Sequence, residues 1–426
     1  MAEREAAGGS LGARGHRVLR WRPGGYLRAS GELFVWLGLR AAAQVLMVFL
    51  LARALGAQGY GQFVTVLAVA SFLAPLVGLG TPGVVLRDGA RRPQALPHLL
   101  RACLALWRRS LLIVALLSFV IVWFALPNGT APATIAAFVL SELIGSSLAE
   151  LIGRAEQARH RTRAFGLIQA GLIFVRLAAL VLYLLTATLT PEGWMLAYAA
   201  ASLVYSAALW AWMQRQYPRV SWRGVGAKGE VASFRHLMRE GLPFLTGALS
   251  FRLQAEFNKP VLAQLGYAQA GQFGLAQRAL DLASLPLVAL QEALWPRVFS
   301  SNNPKGRLFA SGAALVVLAF IGGLLLAWFA PWLPRLLGED YAPAAEVLMW
   351  LAALPAVQVV RNLGNIRLLA EGRAQMLTVI YGVTTLGSVT ATAVLVSRMG
   401  LPGAVVVAYG TEALAILIQE VSRWKR

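Results

Sequence analysis

Apolar runs recur along the whole 426-residue chain, and each is long enough to cross a bilayer as a helix of about 20 residues. Twelve can be drawn, at roughly 31–52, 62–82, 110–127, 132–153, 164–189, 193–214, 241–262, 271–295, 308–330, 343–366, 374–397 and 401–421. With 58% apolar and 14% charged residues and a mean hydropathy of +0.62, the composition is far from that of a soluble domain, where about a quarter of residues are charged. The expected fold is an all-α polytopic membrane protein of about 12 transmembrane helices, with little sequence left for a separate soluble domain.

The chain also contains one stretch twice. Displaced by 210 positions, Leu55-Gly56 falls on Leu265-Gly266 and Gly61-Gln62-Phe63 on Gly271-Gln272-Phe273. In the same frame Gly31 meets Gly241, Phe34 meets Phe244, Leu39 meets Leu249, Gln44 meets Gln254 and Arg87 meets Arg297. These are ten identities in 57 positions, against roughly four by chance. Both copies open an apolar segment after a basic stretch, so the two halves enter the membrane the same way round. Two parallel six-helix repeats forming two lobes follow, an arrangement that places a binding site between the halves.

A net charge of +20 would suggest nucleic acid in a soluble chain, but here it orients loops. Thirty Lys and Arg fall on one set of connections and three (Arg53, Arg335, Arg398) on the other, which places both termini in the cytoplasm. The expected organisation is a basic arm at 1–29, a first lobe at 30–214, a cytoplasmic linker at 215–240, a second lobe at 241–421 and a basic tail at 422–426. Ala52-Arg53-Ala54 resembles a signal-peptide cleavage site, but the apolar run before it exceeds the ~7–15 residues of a signal core and reads as the first span. Val231–Met238 in the linker suits a strip in the inner headgroup layer or a plain loop. The outer connections, such as Pro127 to Ala131 and Thr190 to Glu192, are too short to hold the external catalytic loop of a membrane polymerase. Gly56, Gly59 and Gly61 suit a tight outer turn, and Pro75, Pro243, Pro260, Pro286 and Pro355 should kink their helices.

Six basic residues fall within the expected spans: Arg40, Arg176, Arg252, Lys259, Arg278 and Arg361. The carboxylates well inside are Glu142, Glu256, Asp281 and Glu412. Each such charge needs a partner or a wet cavity. Arg252, Glu256 and Lys259 recur at i, i+4 and i+7, sharing one helix face with Asn258 close by; Arg278 and Asp281 are an i,i+3 pair. Arg40 and Gln44 lie one turn apart, and Gln44 is the repeat-mate of Gln254. Arg176 and Arg361 have no partner on their own helices. The pattern predicts a wet cavity, net positive, in which Arg binds phosphate oxygens two at a time. Internal salt bridges that pin helices together are the competing reading.

Enzyme signatures are absent: no phosphate-binding Gly-rich loop with Lys, no His-Glu-x-x-His, no Gly-x-Ser-x-Gly. Cys103 is the sole cysteine, and His16, His98, His160 and His236 all lie in basic loops. Neither a metal site, a cofactor nor an enzymatic activity is expected.

The run Ala52-Arg-Ala-Leu-Gly-Ala-Gln-Gly-Tyr-Gly-Gln-Phe63, continuing through Gly78-Leu79-Gly80 to a basic loop, resembles the opening of bacterial polysaccharide flippases. These form the O-antigen-type, lipid-linked oligosaccharide branch of the multidrug/oligosaccharidyl-lipid/polysaccharide (MOP) exporter superfamily. Leu265-Gly-Tyr-Ala-Gln-Ala-Gly-Gln-Phe273 through Leu285-Pro286 is similar to that branch's second copy. The resemblance implies lobes opening alternately to each side of the inner membrane around a cationic cleft. The implied cargo is undecaprenyl-pyrophosphate-linked glycan, moved by a monomeric unit working beside polymerase or assembly proteins. By helix position Arg40, Arg252, Lys259 and Arg278 match the cleft, with Arg176 and Arg361 as further cations and Gln44, Gln254 and Asn258 as polar lining. Glu142, Glu256 and Asp281 are candidates for ion or proton coupling, and H+, Na+ or the membrane potential could drive the cycle. The alternative within the superfamily is a cation-coupled drug exporter.

Overall fold

The computed structural model describes residues 25–125, 130–186, 188, 190–218, 234–299, 304–371 and 373–424. Residues 1–24 of the basic arm, 219–233 of the linker and the first three of the Val231–Met238 strip lie outside them. The described chain is helical nearly throughout. Its helices are α1 (Gly25–Leu73), α2 (Thr81–Arg91), α3 (Leu96–Ala125), α4 (Pro132–Ala158), α5 (Thr162–Thr186) and α6 (Pro191–Gln216) in the first half. The second half holds α7 (Phe234–Glu256), α8 (Asn258–Leu265), α9 (Tyr267–Phe299), α10 (Pro304–Phe329), α11 (Trp332–Leu337) and α12 (Ala342–Leu351). It closes with α13 (Leu354–Ala370), α14 (Ala374–Ala391), the short α15 (Ser397–Met399) and α16 (Leu401–Trp424).

Eight described helices are long and apolar enough to span a membrane, or nine when α12 and α13, bent by 42°, count as one broken span. Large apolar side chains such as Leu112, Ile113, Phe124, Leu185 and Trp328 are exposed, as a surface facing hydrocarbon should be. The first two of the twelve runs drawn from the sequence lie on either side of a kink at Gly56, where two helices meet within α1. The seventh and eighth, on α7, α8 and α9, are helical but not apolar spans, because they carry Arg252, Glu256, Lys259, Arg278 and Asp281.

The repeat is visible in the backbone. Gly56 has φ +65° and its mate Gly266 has φ +145°, conformations L-residues avoid, so the Leu-Gly of each copy breaks its helix at the same point. Gly59 and Gly61 are helical rather than part of the turn. Their second role is contact, because a methyl at Gly61 would land on the Tyr267 carbonyl and lie 2.9 Å from the Gly271 nitrogen. A methyl at Gly271 would land on the Ala57 carbonyl, 2.9 Å from the Gly61 nitrogen. Ala57 and Tyr267 are themselves 210 apart, so each copy presses the same glycine onto the same carbonyl of the other. Between them the Ala268 amide donates to Gln58 Oε1 at 3.1 Å, again across mates. Gln62 donates to Thr130 Oγ1 at 2.5 Å, ahead of α4. Gln272 donates to the Asp340 carbonyl at 2.7 Å, ahead of α12. Thr130 and Asp340 are also 210 apart. The internal symmetry therefore extends from the turn into both halves.

The expected proline kinks are mixed. Pro243 and Pro286 lie inside unbroken helices, while Pro355 opens α13 just after the bend. Pro75 falls in a short 3-10 turn, Ala74–Leu76. The connection before α12 is itself ordered, as α11 and a 3-10 turn at Glu339–Tyr341.

Candidate functional site

The ionic centre is built where α7 gives way to α8. Pro260 has no N–H for the Glu256 carbonyl one turn back, so the helix breaks at Phe257. Gln277 on α9 donates to the neighbouring Ala255 carbonyl at 2.8 Å, supplying a bond where the helical ladder is interrupted. Glu256 and Lys259 lie on either side of the break, and both are buried, at 3% and 2% exposure. Lys259 Nζ bonds Glu256 Oε2 closely. Arg278 Nη2 reaches Glu256 Oε1 at 3.4 Å, and Arg278 Nη1 lies 3.7 Å from Asp281 Oδ2. One carboxylate thus holds two cations, and the second cation shares a further carboxylate whose side chain is 53% exposed.

Against this cluster α1 places Gln44, Tyr60 and Phe63, enclosing a cavity of about 30 Å³, room for a water or two. Phe63 packs on Phe138, Trp194 and Tyr198, at centroid distances of 5.6, 6.0 and 5.6 Å. Behind these rings Arg176 Nη2 meets Glu142 Oε2 at 2.6 Å and Arg176 Nε donates to Ser202 at 2.9 Å. Tyr198 donates to the same Glu142 oxygen at 2.6 Å, and its ring lies 4.1 Å from the guanidinium.

Two cations are held differently. Arg40 donates to Gln169 Oε1 at 3.1 Å, and Gln169 in turn donates to Glu150, which already pairs with Arg154 at 2.7 Å. Arg252 is exposed and has no ion-pair partner among the described residues. Arg40 feels the opposite charge of Glu150 first and the like charge of Arg252 after it, and Arg252 in turn acts on Glu256 and Asp281. Arg40, Arg252, Lys259 and Arg278 therefore set four cations against Glu256, Asp281 and a Glu150 that is already paired with Arg154.

The remaining sequence candidates go elsewhere. Gln254 does not share the cavity with its repeat-mate Gln44; it donates to Thr384 and Thr385 of α14, at 3.3 and 2.8 Å, because its helix face turns into the second half. Asn258 accepts from Thr392 at 2.9 Å. Arg176 and Arg361, alone on their own helices, find partners on others: Arg361 pairs with Glu412 at 3.1 Å. Tyr60, Gln169 and Tyr198 were not singled out from the sequence. A lone Gln in an apolar helix is a usable signal for Gln169, whereas a tyrosine in a span carries none.

A latch at the other end of α1 also escaped the sequence. Arg87 on α2 donates to Asp88 at 2.8 and 3.0 Å and to Glu240 of α7 at 2.8 Å, with its guanidinium 5.8 Å from the Phe244 ring. The Arg87 hydrogen bonds hold the Asp88 carboxyl below its usual range. Beside it a methyl at Gly80 would lie 2.8 Å from the Leu245 nitrogen, so the backbones of the two halves touch here as well. Among the described residues no group of three or more His, Cys, Asp or Glu could hold a metal ion.

A family described as "Polysaccharide biosynthesis protein" matches residues 31–302, more than half of the chain. The chain belongs to this family. Its fold is that of the MOP-superfamily transporters. A structure titled "Lipid II flippase MurJ, inward closed conformation" superimposes with a TM-score of 0.72 at 9% identity, covering 92% of this chain and 87% of that one. The inward-facing form of a multidrug resistance MATE family transporter of the MOP superfamily gives 0.67 at 16% identity, with 92% and 98% covered. A MOP superfamily transporter from Pyrococcus furiosus, titled for the reverse polarity of its binding pocket, gives 0.57 at 14% identity, with 94% of each chain covered. No curated protein sequence matches this member of the family.

Proposed function

We propose that this family member is an alternating-access carrier, not an enzyme, that moves a solute with an anionic head across the bacterial inner membrane. The observation that carries the reading is the positive charge of Arg252 and Arg40, one on each half, beside the ion cluster of α8 and α9. Arg252 has no ion-pair partner among the described residues, and the only link from Arg40 to a carboxylate there runs through Gln169. The cargo read from this charge and from membership of a polysaccharide biosynthesis family is undecaprenyl-pyrophosphate-linked glycan. A pyrophosphate would bridge the two arginines, and an inside-negative potential drives anions outward by about 2.3 kcal/mol per charge per 100 mV. On this reading α1 to α6 and α7 to α16 are two six-span lobes, 30–214 and 241–421, with both termini cytoplasmic. The unit works as a monomer with glycan assembly enzymes as neighbours.

A second reading is cation-coupled export of a small molecule. Multidrug transporters recur among the similar structures, so resemblance alone favours this reading over glycan flipping. Asp281, the carboxylate with an exposed side chain, is then the coupling group ahead of the buried Glu256 and Glu142.

Proteoliposomes separate the two. A pyrophosphate-linked glycolipid should reach the opposite leaflet with the native protein and stay behind with Arg40→Ala plus Arg252→Ala. Proton-driven efflux of a cationic dye, with no movement of the glycolipid, would establish the second reading instead.

A further inference from the structure

A cavity of about 660 Å³ opens sideways between α5 and α6, away from the ionic centre. Its volume is within the range of built ligand sites, roughly 300–1,000 Å³. Its rim and floor differ in chemistry. The rim is His160, Arg161 and Arg163, at the connection from α4 to α5. The floor is apolar, from Leu167 on α5 and Leu209 and Trp212 on α6, with Tyr205 beside them. Arg161 already touches Glu156 at 3.4 Å and Gln216 at 3.2 Å, and Tyr205 donates to the Ile168 carbonyl at 2.6 Å. Arg163 is exposed and has no bonded partner among the described residues. The neighbouring Leu203 and Val204 of α6 are exposed too, so the cavity lies on a lipid-facing flank.

We infer that this cavity holds one anionic phospholipid of the cytoplasmic leaflet. Its phosphate sits between Arg163 and Arg161, and its upper acyl chain lies over Leu167, Leu209 and Trp212. The inference rests on the proposed orientation, which puts the connection at 154–163 in the cytoplasm, but on no identity of the cargo. A basic rim above an apolar floor at the headgroup level is complementary to that ligand and to few others: a soluble phosphate would leave the floor wet, and a neutral lipid would leave Arg163 unanswered. The site is also connected to the centre through one helix. Three residues beyond Arg163, a methyl at Gly166 would lie 2.7 Å from Trp36 of α1, so the backbone of α5 meets that ring closely, and one turn further Gln169 accepts from Arg40. A lipid that orders the start of α5 therefore acts on the helix that holds Arg40.

The test is native mass spectrometry of the full chain in detergent, titrated with phosphatidylglycerol, phosphatidylcholine or inorganic phosphate. One phosphatidylglycerol should bind saturably, ahead of phosphatidylcholine. Arg163→Gln should weaken it roughly fivefold, from about 1 kcal/mol per basic side chain near a membrane surface. Ala208→Phe, which fills the cavity and keeps every charge, should weaken it as well, with unchanged thermal unfolding in lipid-free detergent. Equal affinity in all three proteins, equal binding of phosphatidylcholine, or displacement by inorganic phosphate would each overturn the assignment. None of these outcomes bears on which solute is carried.

Discussion

Gly61→Ala should prise apart the two repeat turns. Its methyl would stand 2.6 Å from the Tyr267 carbonyl carbon and 2.9 Å from the Gly271 nitrogen, both backbone atoms that no side-chain rotation can move aside. Overpacking of this kind costs about 1–3 kcal/mol. A penalty of about 2 kcal/mol lowers the closed-turn population relative to the open one by roughly 30-fold, enough to invert a bias of less than about 2 kcal/mol. The assay is disulfide trapping between Gln58→Cys and Ala268→Cys in a Cys103→Ala background, followed by labelling with an impermeant thiol reagent. Gly61→Ala should lower the trapped yield and raise the labelling, and Gly271→Ala should do the same, since the contact is reciprocal. Gly247→Ala is the control, with nothing within 4 Å of its methyl. Unchanged trapping in both alanine variants would refute the claim that these glycines set the approach of the halves.

Two further outcomes follow from the ion pairs. Lys259→Met should destabilise the protein by about 3–5 kcal/mol, because it leaves Glu256 buried with only the longer Arg278 contact. Glu256→Gln added to it should recover part of that loss, as read from thermal unfolding in detergent. At the latch, Arg87→Glu should loosen the α2–α7 contact and Glu240→Arg added to it should restore it, a change of no more than about 1 kcal/mol since both side chains are a third exposed. Because the folded Asp88 carboxyl is held low, its contribution is complete above the ordinary Asp value of ~3.9 and is lost only as pH falls through the depressed value. Cross-linking between α2 and α7 should therefore be flat from pH 8 to 5, as far as Asp88 is concerned.

Spacing along one helix was readable from the sequence; what faces it was not. Arg252, Glu256 and Lys259 at i, i+4 and i+7 announce a shared face, yet Lys259 and Glu256 are buried while Arg252 stays exposed, a difference set by what packs at each level of the helix. The 210-residue offset correctly foretold equivalent turns. It could not foretell that Gln44 lines the cavity while Gln254 turns to α14, because the partners of equivalent positions differ in the two halves. Arg176 and Arg361 looked isolated because their carboxylates come from α4 and α16, 34 and 51 residues away in the chain. The helix α2 was hidden in a stretch read as a basic loop, since eleven residues are too few for a span and only one face is apolar.

The symmetry of the backbone and the asymmetry of the charges together constrain how such a carrier could work. Gly56 and Gly266, Gly61 and Gly271, Gln62 and Gln272 do the same job in each copy. At the positions equivalent to Arg252, Glu256, Lys259, Arg278 and Asp281, however, the first copy has Ala42, Leu46, Phe49, Ala68 and Ser71. Duplication therefore supplied a two-fold bearing, while the charges gathered on one side of it. On the proposed reading, a site fixed to the second half keeps its shape when the halves rock, and only its access changes. Arg40 is the exception: it rides on the first half and repels Arg252 on the second. Any state that brings these two closer is opposed by their like charge until an anion lies between them. On the proposed reading an anionic head thus favours the closed arrangement of the halves by its charge alone, which links occupancy to closure without a separate switch.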